Sequence, residues 1–292
     1  WFSAVFIMAL SLRKTPFAFV SAKVTADKVK SLLHFGIPLM VSGFAFWGLT
    51  YLDRIMLSSL ATLPDVAIYS VAMSFAGAAV MVQQIFSIIW IPVLYKWVAN
   101  DIIKDTISSV SELVQFLSFA VIALGGAFAW LAPMLLPQEY SQIETIMVFC
   151  LMPPLFMLMS EVGGVGINIA KKTKVLPFIT FSALIINFVL NVVLIPTFGA
   201  KGAALATAVS VFIYLGMKSE VSSYIWFPLA RRKQYLITVI TFTIACAQAF
   251  DGEPIFEFLY SVIWGAWLVL IVLLYKKAFQ HILPMLKNEV SA

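Results

Sequence analysis

Asp53 and Arg54 stand side by side inside an otherwise apolar run, Phe35–Leu60, and are the first residues in the chain that could do chemistry. An arginine keeps its charge in a protein, and holding one at membrane depth costs about 2.5 kcal/mol or more. Such a charge is either paired structurally or available to an anion. Guanidinium suits phosphate, because its planar fork donates two parallel hydrogen bonds. On a helix, Tyr51 shares the Arg54 face, whereas Asp53 lies about 100° round the axis and is no ideal partner. Two readings therefore stand. Arg54 binds an anionic head group in a wet cavity, or it closes an interhelical salt bridge or snorkels to the interface.

Glu161 is the second intramembrane charge, beside Gly163-Gly164 and about ten residues before Lys171-Lys172. A carboxylate at that depth could couple transport to protons or sodium, pair with Arg54, or sit protonated against the glycines. Gln83 and Gln84 lie mid-span, where amides can bond sugar hydroxyls across a cavity or simply hold helices together. Asn187 and Asn191, four apart, share one helix face, and helix glue is the favoured role for them. Cys150 and Cys246 have no disulfide or metal spacing, and His34 and His281 form no ligand pair. The chain contains no GxxxxGK(S/T), GxSxG or HExxH, and no GxGxxG opening a helix after a strand. No enzymatic activity and no cofactor are expected. Any energy source would be an ion or substrate gradient.

These residues need helices to position them. Hydrophobic residues form 62% of the chain and charged ones 11%, against roughly 25% charged in soluble domains. With a mean hydropathy of +0.99, the composition reads as an all-α, polytopic transmembrane bundle. The net charge of +5 is no nucleic-acid signal, because the positives fall in short loops between spans. Eight apolar segments are expected, at 35–60, 67–95, 113–136, 143–170, 174–197, 201–227, 235–250 and 255–275. Pro92, Pro153-Pro154 and Gly163-Gly164 are the expected kinks. Residues 1–12 read as the cut end of a further transmembrane helix, too short for a core that needs about 20 residues. Residues 13–32 read as a cytoplasmic linker.

Charge alternates along the connections. Of the 19 Lys and Arg, 17 fall on alternate connections, including Lys218 with Arg231–Lys233. Arg54 and Lys201 are the exceptions. The intervening connections near 61–66, 137–142, 198–200 and 251–254 carry none. By the positive-inside rule, the linker and C-terminus are cytoplasmic and the outer loops very short. With no sizeable outer loop, function must lie among the helices.

Two stretches resemble a known family. Leu33 to Ala72, LxFGIPLxxSGxAFWGLxxLDRIxLSxLxxxxxVAIYSVA, and 83–97, QQIFSIIWIPVLYKW, are similar to the bacterial O-antigen and polysaccharide flippases. These belong to the multidrug/oligosaccharidyl-lipid/polysaccharide exporter superfamily. NVVLIPTFGAKGAALATAVS, at 191–210, resembles an outer turn shared across that superfamily. The resemblance implies a two-lobe alternating-access transporter, of which 33–227 would be the six-helix second lobe. Residues 228–292 would add two transmembrane helices and a cytoplasmic tail. It further implies flipping of a polyprenyl-pyrophosphate-linked oligosaccharide in the bacterial inner membrane, from the cytoplasmic to the periplasmic leaflet. Glycan polymerase or chain-length proteins would be partners. Asp53 and Arg54 match the family's charged pair, and with Tyr51, Gln83 and Gln84 they are the expected substrate contacts. Glu161 is the expected ion-coupling candidate. A cation-coupled multidrug or metabolite exporter is the alternative within transport. A membrane-embedded glycan polymerase or ligase is the alternative from another class, disfavoured by the short outer connections.

Overall fold

The computed structural model describes residues 26–99, 104–227, 229, 231–251 and 257–290. The expected cut helix at 1–12 and most of the expected linker lie outside them. In order, the helices are α1 (Ala26–Leu60), α2 (Leu63–Phe75), α3 (Gly77–Ala99), α4 (Lys104–Ala127) and α5 (Leu131–Leu135). After them come α6 (Ile143–Gly163), α7 (Val165–Ile169), α8 (Val175–Ile225), α9 (Arg232–Phe250) and α10 (Glu257–Val290). The all-α class is as expected, and the described residues contain no strand. Two compact units are distinguished, Trp1–Ile37 and Pro38–Ala292. Of the first, the described part is the opening of α1, with Asp27, Lys30 and His34. Everything that follows concerns the second.

Five helical stretches among the described residues are long and apolar enough to cross a membrane: Gly77–Ala99, Asp105–Ala127, Ile143–Gly163, Val175–Ile225 and Phe258–Lys276. That is compatible with a multi-pass membrane protein. In hydrocarbon every backbone group must bond within its own segment, so apolar runs of this length fold as helices. The expected spans 35–60 and 235–250 are not among the five. Asp53 and Arg54 interrupt the first, and Gln234, Thr238, Thr241, Thr243 and Gln248 dilute the second. The expected span 67–95 is two helices, α2 and α3, separated by the single residue Ala76.

Helix α6 is the core. Every residue from Ile146 to Ser160 is buried, because α2, α3, α4, α8 and α9 all pack round it. The C-terminal helix α10 packs chiefly on α4, where the Tyr275 hydroxyl donates to Gln115 Oε1 at 3.0 Å. Trp264 and Trp267 tie it to α9, donating to Gln248 Oε1 at 2.8 Å and Thr241 Oγ1 at 3.1 Å. The two last helices are thus built into the bundle.

The expected turn at 198–200 is a single residue. Helix geometry runs from Val175 to Ile225 except at Gly199, whose φ of 54° and ψ of −128° reverse the chain. Reversal follows from the contacts. Asn187 Nδ2 donates to Thr207 Oγ1 at 3.0 Å, yet twenty residues of straight helix would separate them by about 30 Å. The turn is pinned by Asp65. Its Oδ1 accepts the Ala200 N–H at 3.2 Å, and its Oδ2 accepts the Thr62 N–H at 3.2 Å, completing a capping box at the start of α2. Partial burial pushes the Asp65 carboxyl up, but these donors and the Thr62 hydroxyl outweigh it and hold it below the ordinary carboxylate range.

A Cβ at Gly199 would strike the Asp65 carboxylate as well as strain the backbone. Gly199→Ala should therefore lower the unfolding temperature of the detergent-solubilised full chain, by strain of about 1–3 kcal/mol before any clash. Gly216→Ala, in open space in the same helical stretch, should be neutral or stabilise by up to about 1 kcal/mol.

Candidate functional site

Two helical hairpins meet at one carboxylate. The turn at Ala61 joins α1 to α2, and Gly199 joins the two arms of α8. Asp53 and Tyr69 lie eight positions either side of Ala61, and Asn191 and Thr207 eight either side of Gly199. At 1.5 Å per residue all four lie about 12 Å below the turns, at one depth. Asp53, 1% exposed, receives them there. Its Oδ2 accepts the Tyr69 hydroxyl at 2.8 Å and the Thr207 hydroxyl in a very short bond. Its Oδ1 accepts Asn191 Nδ2 at 2.6 Å and Asn187 Nδ2 at 3.2 Å. Asn191 Nδ2 also donates to Asn187 Oδ1 at 3.0 Å.

No cation balances this carboxylate among the described residues. All four donors are neutral, and Asn191 Oδ1 is buried without a partner. A bare charge in such surroundings is costly, and four donors offset that only in part. Chemically, the arrangement can take up positive charge, as a proton on Asp53 or as a small cation held by oxygens. Turning the Asn191 amide over would bring its unpaired oxygen to the carboxylate. A cavity of about 140 Å³ reaches the site, lined by Asp53, Thr50, Thr207, Gln83, Gln84, Met157 and the Pro153-Pro154 pair.

The adjacent arginine goes elsewhere. Ala45, Leu49, Asp53, Met56 and Leu57 form the buried stripe of α1. Arg54 lies on the exposed side and makes no hydrogen bond or ion pair among the described residues. It shares that side with Phe44 and Trp47, 71% and 60% exposed, and with Tyr51, whose ring meets Trp47 at 5.1 Å between centroids. Of the expected substrate contacts, the structure brings Asp53, Gln83 and Gln84 to one cavity. Arg54 and Tyr51 do not line it. Gln83 Nε2 donates to Ser87 Oγ at 3.0 Å, and Gln84 is exposed.

One expectation is sharpened and one needs correction. Asn187 and Asn191 do join helices, but through Asp53, so they are part of the site. Lys218, counted among the loop cations, is buried inside α8, with its Nζ 3.5 Å from Glu161 Oε1. Glu161 thus has a partner within the bundle, and that partner is not Arg54. Tyr69, Thr207 and Lys218 went unnoticed as site residues, because their types are common in spans and the register that aligns them is set by two turns. Equal spacing about each turn was the available signal.

The chain matches no protein-family model, no curated protein and no solved structure. Fold and site define the class: an all-α bundle, compatible with a multi-pass membrane protein, with an uncompensated carboxylate at its centre.

Asp53→Ala should destabilise the detergent-solubilised chain by on the order of 3 kcal/mol, since it strands several buried donors at once. Arg54→Ala should stay within about 0.5 kcal/mol, as for an exposed side chain. Equilibrium unfolding of both variants decides whether the neighbours have the separate roles described.

Proposed function

We propose that the chain is part of a transporter that moves a polyprenyl-pyrophosphate-linked oligosaccharide from the cytoplasmic to the periplasmic leaflet of a bacterial inner membrane. The observation that carries this reading is the state of Arg54. An arginine within the expected span 35–60, with no hydrogen bond or ion pair among the described residues and on a helix side lined with exposed aromatics, offers what a sugar pyrophosphate requires. The guanidinium suits the pyrophosphate, and Trp47 and Tyr51 supply faces for sugar rings. The resemblance of Leu33–Ala72 and 83–97 to O-antigen flippases points the same way. Movement would follow alternating access, with this bundle rocking against a second lobe.

Asp53 favours a coupled mechanism, and we place the coupling site there instead of at Glu161. Glu161 is already compensated by Lys218, so protonating it would leave a buried ammonium unpaired. Asp53 has no such obstacle. The same observation is what a cation-coupled exporter of small molecules would need, and this is the second reading. The two differ in cargo. The exporter has no use for an exposed arginine.

In the full-length protein, Arg54→Ala should abolish surface glycan at normal membrane insertion, and Arg54→Lys should restore part of it. Glycan display indifferent to both would remove the pyrophosphate contact. Asp53→Asn should flatten the pH or sodium dependence of flipping in proteoliposomes while Glu161→Gln leaves that dependence in place. The reverse pattern would return coupling to Glu161.

A further inference from the structure

We propose that the second half of α6, Met157 to Gly163, is a gate over the Asp53 cavity, hinged at Pro153-Pro154 and latched by Lys218 and Glu161. The proposal deepens the coupling reading above, since it says how a cation would gain access to Asp53.

The hinge follows from covalent chemistry. Two successive prolines have no N–H to give, so the Phe149 and Cys150 carbonyls lose their bonds to the following turn. The two missing bonds fall where the cavity is, for Pro153, Pro154 and Met157 all line it. Movement of the segment beyond the prolines therefore moves a wall of the cavity while the first half of α6 stays in the core.

The latch lies at the far end of that segment. Thr207, at the Asp53 level, is eleven residues from Lys218 on the same arm of α8, so the pair sits about 16 Å along the bundle from that level. Its contacts are long. Lys218 Nζ is 3.5 Å from Glu161 Oε1, 3.4 Å from Ser160 Oγ and 5.5 Å from the Tyr214 ring centroid. Ser219 Oγ, next to Lys218, is buried without a partner among the described residues. Glu161 keeps 21% of its side chain exposed, so one side of the pair is open. Trp90 of α3 holds the same point by donating to the Glu161 carbonyl at 3.3 Å. Gly163 brings α6 so close to α8 that a Cβ there would lie 3.4 Å from the Ser219 Cβ. Close backbone approach joined by long polar contacts is a joint that can separate once the ion pair is hydrated.

Hydrogen exchange on the full chain in detergent micelles tests the gate without any transport assay. Lys218→Met should raise exchange at amides 157–163 at least tenfold and leave amides 143–150 unchanged. The exchanged pair, Glu161→Lys with Lys218→Glu, should restore slow exchange. A rise shared by both sides of the prolines, no rise, or no recovery in the exchanged pair would each overturn the proposal. A disulfide supplies the converse. In a chain lacking Cys150 and Cys246, Gly163→Cys with Ser219→Cys sits near disulfide spacing of about 3.5–4.5 Å. Oxidation should slow exchange at 157–163 at least tenfold, and reductant should reverse it. In proteoliposomes the oxidised full-length protein should lose at least tenfold in flipping of lipid-linked oligosaccharide. If exchange behaves as stated and the unmodified protein flips nothing, the transport reading fails and the gate stands. If flipping continues undiminished with the disulfide fully formed, the gate fails and the transport reading stands.

Discussion

A single buried carboxylate organises this bundle. Asp53 draws hydrogen bonds from α2 and from both arms of α8, and so joins two hairpins whose other polar tie among the described residues is the Asp65–Ala200 bond at the turns. Among the described residues α1 has no extensive close backbone packing with another helix, which leaves this polar junction as its principal directional tie. Apolar packing between helices in lipid discriminates poorly between rotational settings, because hydrocarbon outside is as apolar as leucine inside. A carboxylate with four donors does discriminate. A quarter-turn of α1 would take Asp53 out of the bundle and strand Tyr69, Asn187, Asn191 and Thr207 together.

Depth is set by the turns. Both hairpins bend where the sequence offers a helix stop without lysine or arginine, Ala61-Thr62 and Gly199. Both place their polar residues eight positions away. Asp65 ties the two turns to each other through the Ala200 N–H. The capping box and the positive-φ glycine are therefore part of the site, since a shift of one residue at either turn would carry a hydroxyl or amide past the carboxylate. The glycine's backbone freedom has a use about 12 Å away from it.

Much of this could be read from residue types and much could not. Helical class, the importance of Asp53-Arg54 and the bend near 198–200 follow from composition, an unexpected charge and a glycine after a proline. What eluded the one-dimensional reading depends on which face of a helix a residue occupies. The rotation of about 100° between the adjacent aspartate and arginine is legible in the sequence, but not that it puts the aspartate in the core and the arginine on the outside. Lys218 was read as a loop cation, because charge near a span's end usually is. Its actual depth depends on α8 continuing to Ile225 and on Glu161 being there to meet it. Asn187 and Asn191 were correctly seen as one face, but nothing in their own helix says that an acid stands opposite.

The separation of the two charges has a mechanical consequence. Asp53 and Arg54 ride on the same helix, within one rigid peptide unit of each other. Positive charge arriving at Asp53 weakens its hold on Asn187, Asn191, Tyr69 and Thr207, for each donates less strongly to a neutral acid than to a carboxylate. That loosens the tie that sets the rotation of α1. Any rotation of α1 sweeps Arg54, Tyr51 and Trp47 through the same angle on the opposite side. The two residues stand in different surroundings, one buried and one exposed, and are thus linked by covalent adjacency alone. No chain of intervening side chains is required.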